Sequence, residues 1–152
     1  MKIEYYYSVV SPFSYLGLER FKELIEKNNI TVKEKPIDLV GKVFTETGGV
    51  PVSKRSIQRQ KYRLVEIERF KQELKIDIKL KPKFFPPFDP HAPAKFIIAA
   101  IETGNVLTAG YECLKALWSE EKDISQIDEL KKIAEKLDLK IEFNDDFIYG
   151  LS

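Results

Sequence analysis

The chain has 152 residues and a mass of 17.7 kDa, a length that suits one domain spanning residues 1–152 with its own hydrophobic core. Its 25 basic and 24 acidic side chains nearly cancel, and its single cysteine and single histidine exclude an internal disulfide, a CxxC redox centre and a Cys/His zinc site. The sequence shows no long run of like charges and no apolar stretch of about 20 residues, so we expect a soluble cytoplasmic protein that binds neither nucleic acid nor membrane.

The first forty residues carry the pattern of a strand, a helix and a second strand. The segment Lys2 to Val10 is rich in Tyr, Ile and Val, which predicts a strand buried on both faces and hence a parallel sheet. A helix is expected to begin at Ser11-Pro12 and to end at Asn28-Asn29, and Ile30 to Asp38 alternates as a second strand. Together they predict a right-handed βαβ unit in which the helix N-terminus faces the carboxyl end of the first strand.

The remainder is predicted to be helical, with two irregular segments. Leu39 to Ser56 is rich in glycine and poor in large apolar residues, which favours a long ordered loop beside a site. Lys81 to Pro90 contains four prolines and three phenylalanines, which interrupt regular structure. The closing segment, Ile141 to Ser152, offers at most one short strand. The helical part spans residues 57–138, and its helices are predicted at Ile57 to Leu74, Ala92 to Glu102, Val106 to Glu121 and Ile127 to Leu137.

Ser11 stands at the junction of the first strand and the first helix, directly before Pro12. Serine at the N-cap and proline at the first helical position are typical of helix capping alone. The position also has a chemical consequence, because unpaired N–H groups and the positive end of the helix dipole stabilise an anion there. The pKa of a thiol falls at such a place. The Ser11 hydroxyl is therefore a candidate both for the cap and for a hydrogen bond to a bound thiolate.

The run from Tyr5 to Gly17, YYYSVVSPFSYLG, resembles the first strand and the SPFSYL turn of 2-hydroxychromene-2-carboxylate isomerases and kappa-class glutathione transferases. In the related DsbA-type oxidoreductases a CxxC occupies this turn. Here Ser11 and Ser14 stand at the two cysteine positions, so disulfide exchange is not expected. Further matches follow in the family's order over essentially the whole chain: Ile37-Asp38-Leu39, Thr47-Gly48, Lys61 to Phe70, Pro87 to Pro90 and Leu117 to Ser125.

The resemblance implies a thioredoxin-like α/β fold with a large helical insertion, and a glutathione-dependent isomerase or transferase that acts on an unsaturated aromatic oxo-acid. It implies that Ser11 contacts the sulfur of glutathione, or of another low-molecular-weight thiol, within the turn Ser11-Pro12-Phe13. By position, it assigns the acceptor pocket to four residues: Lys42, Ser53, Lys54 and Phe84. For the two lysines, ordinary solvation at the surface is the alternative interpretation.

The C-terminal ββα part of the family's fold, with its Val-Pro strand, is not recognisable in the sequence. A sheet of only two predicted strands has an exposed edge, which proteins usually cover or pair. We therefore expect a homodimer, a complementing polypeptide, or coverage of the edge by the chain's own tail. The alternative to an enzyme is a non-catalytic, truncated thioredoxin-like binding or assembly module, in which this edge and the aromatic loop Phe84 to Phe88 meet a partner.

Overall fold

The structure, a computed structural model, describes residues 1–144, so most of the closing segment for which a short strand was allowed lies outside the described residues. Strand β1 (Lys2–Tyr7), helix α1 (Pro12–Lys27) and strand β2 (Thr31–Pro36) follow one another. The strands pair in parallel, with Lys2 opposite Thr31 and Tyr7 opposite Pro36. The predicted thioredoxin-like βαβ unit is confirmed.

The sheet has one packed face and one open face, so the prediction that β1 is buried on both faces is wrong. Tyr5 and Tyr7 point into the protein, whereas Glu4 and Tyr6 are exposed. On the open face the Lys35 ammonium lies 2.8 Å from a Glu4 carboxylate oxygen and donates to the Tyr6 hydroxyl at 2.6 Å. This alternation is typical of a strand with one solvated face, and Tyr6 fits there because its hydroxyl has polar partners.

The segment predicted as a long ordered loop, Leu39 to Ser56, is ordered but contains three short helical turns that the prediction did not include. Asp38 begins the first turn by accepting a hydrogen bond from the Gly41 N–H at 2.7 Å. Gly48 ends the second with a φ of +70°, a conformation that glycine adopts without steric cost. The turns are a π-helical turn (Leu39–Val43), α2 (Phe44–Thr47) and a 3-10 turn (Val52–Lys54).

The four long helices predicted for the second half are confirmed, with ends that differ by a few residues. The hydroxyl of Ser56 caps the first of them by accepting from the Arg59 N–H at 3.4 Å. The last of these helices has Asp128 and Glu129 in its first turn, where carboxylates stabilise the helix by interacting with the positive end of its dipole. They are α3 (Ile57–Leu74), α4 (His91–Glu102), α5 (Thr108–Trp118) and α6 (Ile127–Lys136).

One hydrophobic core joins the sheet to the helical part. Leu18 of α1, Ile67 of α3, Phe96 of α4 and Trp118 of α5 are fully buried in it, and each such side chain stabilises the fold by roughly 1.5–3 kcal/mol. The Trp118 indole N–H donates to the Val10 carbonyl oxygen at 3.3 Å. The strand end that precedes Ser11 is therefore attached directly to α5.

A buried carboxylate, Glu34, ties the two strands to the start of α5. Glu34 is buried, with 5% of its surface exposed. Its carboxylate accepts one hydrogen bond from the Tyr7 hydroxyl at 2.5 Å and another from the Leu107 N–H at 2.6 Å. Burial raises the pKa of the Glu34 carboxyl and that of the Tyr7 phenol. Gly110 lies against this pair, and an added Cβ there would lie 3.0 Å from the Glu34 carboxylate and still closer to the Tyr7 hydroxyl.

Candidate functional site

Ser11 occupies the N-cap of α1, as predicted, with φ −82° and ψ 132°, and Pro12 follows at the first helical position. The carbonyl oxygen of Ser11 accepts the N–H of Tyr15 at 3.2 Å. Its hydroxyl, however, makes no capping hydrogen bond, and the first turn contains no acidic residue. The expectation that this hydroxyl caps the helix is therefore wrong. The half-buried hydroxyl and the dipole of α1 both remain available to an anion.

An apolar pocket of about 210 Å³ opens where the carboxyl ends of β1 and β2 meet the aromatic loop. Phe85 contributes a ring that packs on Trp118, with a centroid distance of 4.7 Å, and the Phe85–Pro86 peptide is cis. The polar residues of the pocket include Asp38 and His91. The wall consists of Ser8 to Val10, Pro36 to Val40, Phe85 to Pro87, Pro90, His91 and Ala94. The pocket thus borders the strand end from which the Ser11 turn begins.

A second opening, the arginine groove, has a volume of about 530 Å³ and includes Phe13, two residues after Ser11. Three arginines line it. Arg59 and Arg63 are four residues apart on α3, a spacing that places both side chains on one face of the helix, and Arg55 is the extended residue just before the N-cap of α3. The remaining lining residues are Gln58, Tyr62 and Glu66. The first half of α3, together with the residue just before its N-cap, therefore presents a positive surface beside the start of α1.

The arginine groove keeps a surplus of positive charge. Its one acidic residue, Glu66, already binds Arg69 at 2.7 Å. Within residues 1–144, none of the three groove arginines forms an ion pair with a carboxylate. The guanidinium of Arg63 lies over the rings of Phe85 at 5.2 Å and Trp118 at 5.8 Å. Burial, and then the charge of Arg55, lower the pKa of Arg63.

The four residues assigned to the acceptor pocket line neither the apolar pocket nor the arginine groove. Lys42 is exposed on the π-helical turn, and Ser53 and Lys54 are exposed on the 3-10 turn. Phe84 is half-buried, and the Lys83 ammonium lies 5.0 Å from the centre of its ring. Its neighbour Phe85 lines the apolar pocket instead. A substrate role for these four residues stays a prediction.

Sequence reasoning missed the arginine groove, although one of its signals is local. Arg59 and Arg63 have the spacing of one helix face, and Arg55 precedes them by only four residues in the sequence. The opposite wall, Phe13, lies on α1 and is more than forty residues away in the sequence. Only the packing of α3 on α1 brings the two walls together.

The chain begins with a parallel βαβ unit whose helix starts at Ser-Pro, and a helical part follows that shares one hydrophobic core with the sheet. This architecture is that of a thioredoxin-like protein of the DsbA type. The DSBA-like thioredoxin domain family matches residues 2–149, and the chain belongs to this family. No curated protein sequence matches the chain. The family assignment confirms the fold class implied by the Ser11 turn.

Solved structures with the same fold include both isomerase and reductase relatives. A 2-hydroxychromene-2-carboxylate isomerase superposes with a TM-score of 0.71 and 21% identity, over 92% of this chain and 67% of that one. The cytosolic disulfide reductase DsbM from Pseudomonas aeruginosa with GSH gives 0.67 and 14%, over 98% and 71%. The chain thus spans about two thirds of the length of these proteins. At 21% and 14% identity, the similarity to these two proteins shows that the fold is shared.

The described residues also lack two other kinds of feature. No helix among residues 1–144 is long and apolar enough to cross a bilayer. In the same part of the chain, no group of three or more His, Cys, Asp or Glu side chains is arranged to hold a metal ion. The one cysteine, Cys113, is buried in α5, and burial raises the pKa of its thiol, which disfavours the reactive thiolate form at this position.

Proposed function

We propose that the chain catalyses a thiol-dependent isomerisation or transfer on an unsaturated aromatic oxo-acid, with Ser11 contacting the sulfur of the thiol. Glutathione is the first candidate for that thiol, since the Ser-Pro-Phe-Ser turn resembles that of glutathione-dependent relatives. The observation that carries the proposal is the Ser11 hydroxyl, which lies at the start of α1 and makes no capping hydrogen bond. The proposed compartment is the cytoplasm, as the name of DsbM states for that protein.

The residues around Ser11 suit an anion better than a neutral group. The positive end of the α1 dipole is not offset by a carboxylate in the first turn, and this lowers the pKa of a thiol held there. The Ser11 hydroxyl donates a hydrogen bond to the resulting thiolate, and such bonds to charged groups are worth about 1.5–3 kcal/mol. When bound, the thiol would supply a nucleophilic sulfur for addition to the unsaturated bond of the substrate; in an isomerisation the sulfur would be eliminated again, and in a transfer it would stay bonded to the product.

The apolar pocket is the proposed place for the aromatic part of the acceptor. Its wall consists mainly of Val, Ile, Leu, Phe and Pro side chains, which favour a planar apolar group and exclude water from the reacting bond. Asp38 and His91 are the polar residues of this wall that can direct the acceptor's hydroxyl or oxo groups. The pocket follows β1 at Ser8 to Val10, so an acceptor held there lies beside the turn of Ser11.

The test is the conversion of an unsaturated aromatic oxo-acid with and without glutathione. We expect turnover that requires the thiol and falls about tenfold or more in Ser11→Ala, because removing a hydrogen bond to a charged group costs at least about 1.4 kcal/mol. Ser14→Ala, a change of the same size one helical turn later, serves as the matched control and keeps most of the activity. Equal turnover in Ser11→Ala and the wild type refutes the role of Ser11.

A non-catalytic binding or assembly module is the second candidate, and the outer edge of β1 favours it. Ile37 N–H donates to the Tyr7 carbonyl oxygen at 2.9 Å, so the odd-numbered residues of β1 direct their backbone groups toward β2. The even-numbered residues direct theirs to the outer edge, where the described residues supply no paired strand. A second copy or a complementing polypeptide would add a strand there. A strictly monomeric mass in solution, measured by light scattering, counts against a second copy.

A further inference from the structure

We infer that the arginine groove binds the phosphate groups of a phosphorylated ligand. This ligand is the thiol itself, an identification that rests on the proposed function. The thiol carries its phosphate groups at some distance from its sulfur. Among the low-molecular-weight thiols that the proposed function admits, the groove favours one that is more highly charged than glutathione.

Charge is the first argument. Arg55, Arg59 and Arg63 line one groove, and among residues 1–144 its single carboxylate, Glu66, binds Arg69. Within that part of the chain the three guanidinium groups have no carboxylate partner, so they repel one another, and a ligand with two or more negative charges removes that repulsion. Guanidinium groups also match phosphate oxygens through pairs of parallel hydrogen bonds. A ligand with one carboxylate leaves most of the surplus charge uncompensated.

Glutathione is a poor match for the same surface. At neutral pH it carries two carboxylates and one ammonium, so its net charge is about −1. Its ammonium would need an acidic partner, and the one acidic residue that lines the groove in the described part of the chain already binds an arginine 2.7 Å away. A phosphate-bearing thiol brings no such requirement, because it can meet the groove with its anionic end alone.

The aromatic walls of the groove are the second argument. Phe13 is 46% exposed and Tyr62 is 61% exposed, and both line the groove beside the arginines. Exposed rings next to guanidinium groups provide stacking surfaces for a planar ring, such as a nucleotide base. The groove volume of about 530 Å³ is within the range of small-molecule sites. A phosphorylated group with a planar ring therefore matches the groove in charge, shape and size.

The position of the groove links it to Ser11. Phe13 belongs to the first turn of α1, which begins directly after Ser11. The position of the Arg63 guanidinium is stabilised by cation–π contacts, because it lies over the rings of Phe85 and Trp118. A flexible thiol anchored by its phosphates on α3 can place its sulfur at the start of α1. The anchor is separate from the Ser11 hydroxyl, so the two contacts can be tested separately.

The experiment is calorimetric titration of the full chain with adenosine 3′,5′-bisphosphate, coenzyme A and glutathione. We expect the bisphosphate, which has no sulfur, to bind the wild type and to compete with coenzyme A. In Arg59→Gln its binding weakens about tenfold, and Arg63→Lys, which keeps the charge, also weakens it. Lys61→Gln, an equal loss of charge on α3 outside the groove, serves as the control and leaves the affinity within about twofold. Ser11→Ala leaves bisphosphate binding unchanged.

The inference is overturned if the bisphosphate does not bind the wild type, or if Lys61→Gln loses as much affinity for the bisphosphate as Arg59→Gln does. It is also overturned if a single-stranded oligonucleotide binds much more tightly than the bisphosphate, because that result assigns the groove to nucleic acid. Failure of the proposed function has a different signature. If the bisphosphate binds and depends on Arg59, while no thiol supports turnover, the phosphate site stands and the enzyme proposal falls. If glutathione-dependent turnover depends on Ser11 but the bisphosphate does not bind, only the phosphate site falls.

Discussion

Replacing Gly110 by alanine inserts a methyl group into the contact between α5 and the buried Tyr7–Glu34 pair. The added Cβ would lie 3.0 Å from the Glu34 carboxylate and well inside van der Waals contact of the Tyr7 hydroxyl, so the hydrogen bond between them must break or α5 must move. Overpacking costs about 1–3 kcal/mol, and loss of a hydrogen bond to a charged group costs about 1.5–3 kcal/mol. The better helix propensity of alanine returns about 1 kcal/mol. We therefore expect a net loss of about 3 kcal/mol.

The assay is urea denaturation of the wild type and Gly110→Ala, followed by far-ultraviolet circular dichroism, with the free energy of unfolding extrapolated to water. Gly17→Ala is the matched control, because Gly17 also lies within a helix but an added Cβ there meets no atom within 4 Å. We expect this control to gain about 0.5–1 kcal/mol. If Gly110→Ala is as stable as the wild type, or gains stability as the control does, the proposed packing of α5 on Tyr7 and Glu34 is refuted.

Two further predictions concern buried groups. Burial raises the pKa of Glu34 above its ordinary value of 4.5, so the folded state binds this proton more tightly than the unfolded state does. The wild type should therefore gain stability relative to Glu34→Gln as the pH falls from 7 through the folded-state pKa of Glu34, and the gain should be complete below about 4.5. Urea denaturation of both proteins across this pH range measures the difference in the free energy of unfolding. A difference that does not vary with pH contradicts the prediction. Cys113 is fully buried and its pKa is raised, so mass spectrometry should find it unmodified after iodoacetamide treatment of the native protein and alkylated after treatment in urea.

The elements of the fold were predictable because their signals are local. The β1 and β2 patterns, the Ser-Pro start of α1 and the apolar stripes of the later helices lie within short stretches of sequence. The open face of the sheet was misjudged because Tyr6 counts as apolar in a pattern, although its hydroxyl bonds charged neighbours in the fold. The helical turns after β2 were missed because glycines at turn ends resemble an irregular loop.

In the candidate site, only the position of the Ser11 turn at the start of α1 could be predicted, because one short segment carries it. Ser11, Pro12 and Phe13 are consecutive and share the start of α1. The buried role of Glu34 depends on Leu107, which follows 73 residues later. A charged residue in an alternating strand gives no sign of such a distant partner.

Calorimetric titration of the wild type and Ser11→Ala with a thiol measures whether Ser11 holds a thiolate at the start of α1. The titration is repeated with glutathione and with coenzyme A, so that it covers both classes of thiol. We expect saturable binding of a thiol to the wild type, and binding to Ser11→Ala that is weaker by about tenfold or more above the pKa of the bound thiol, where the thiolate is the bound form. No heat with either thiol, or equal affinities in the two proteins, would contradict it.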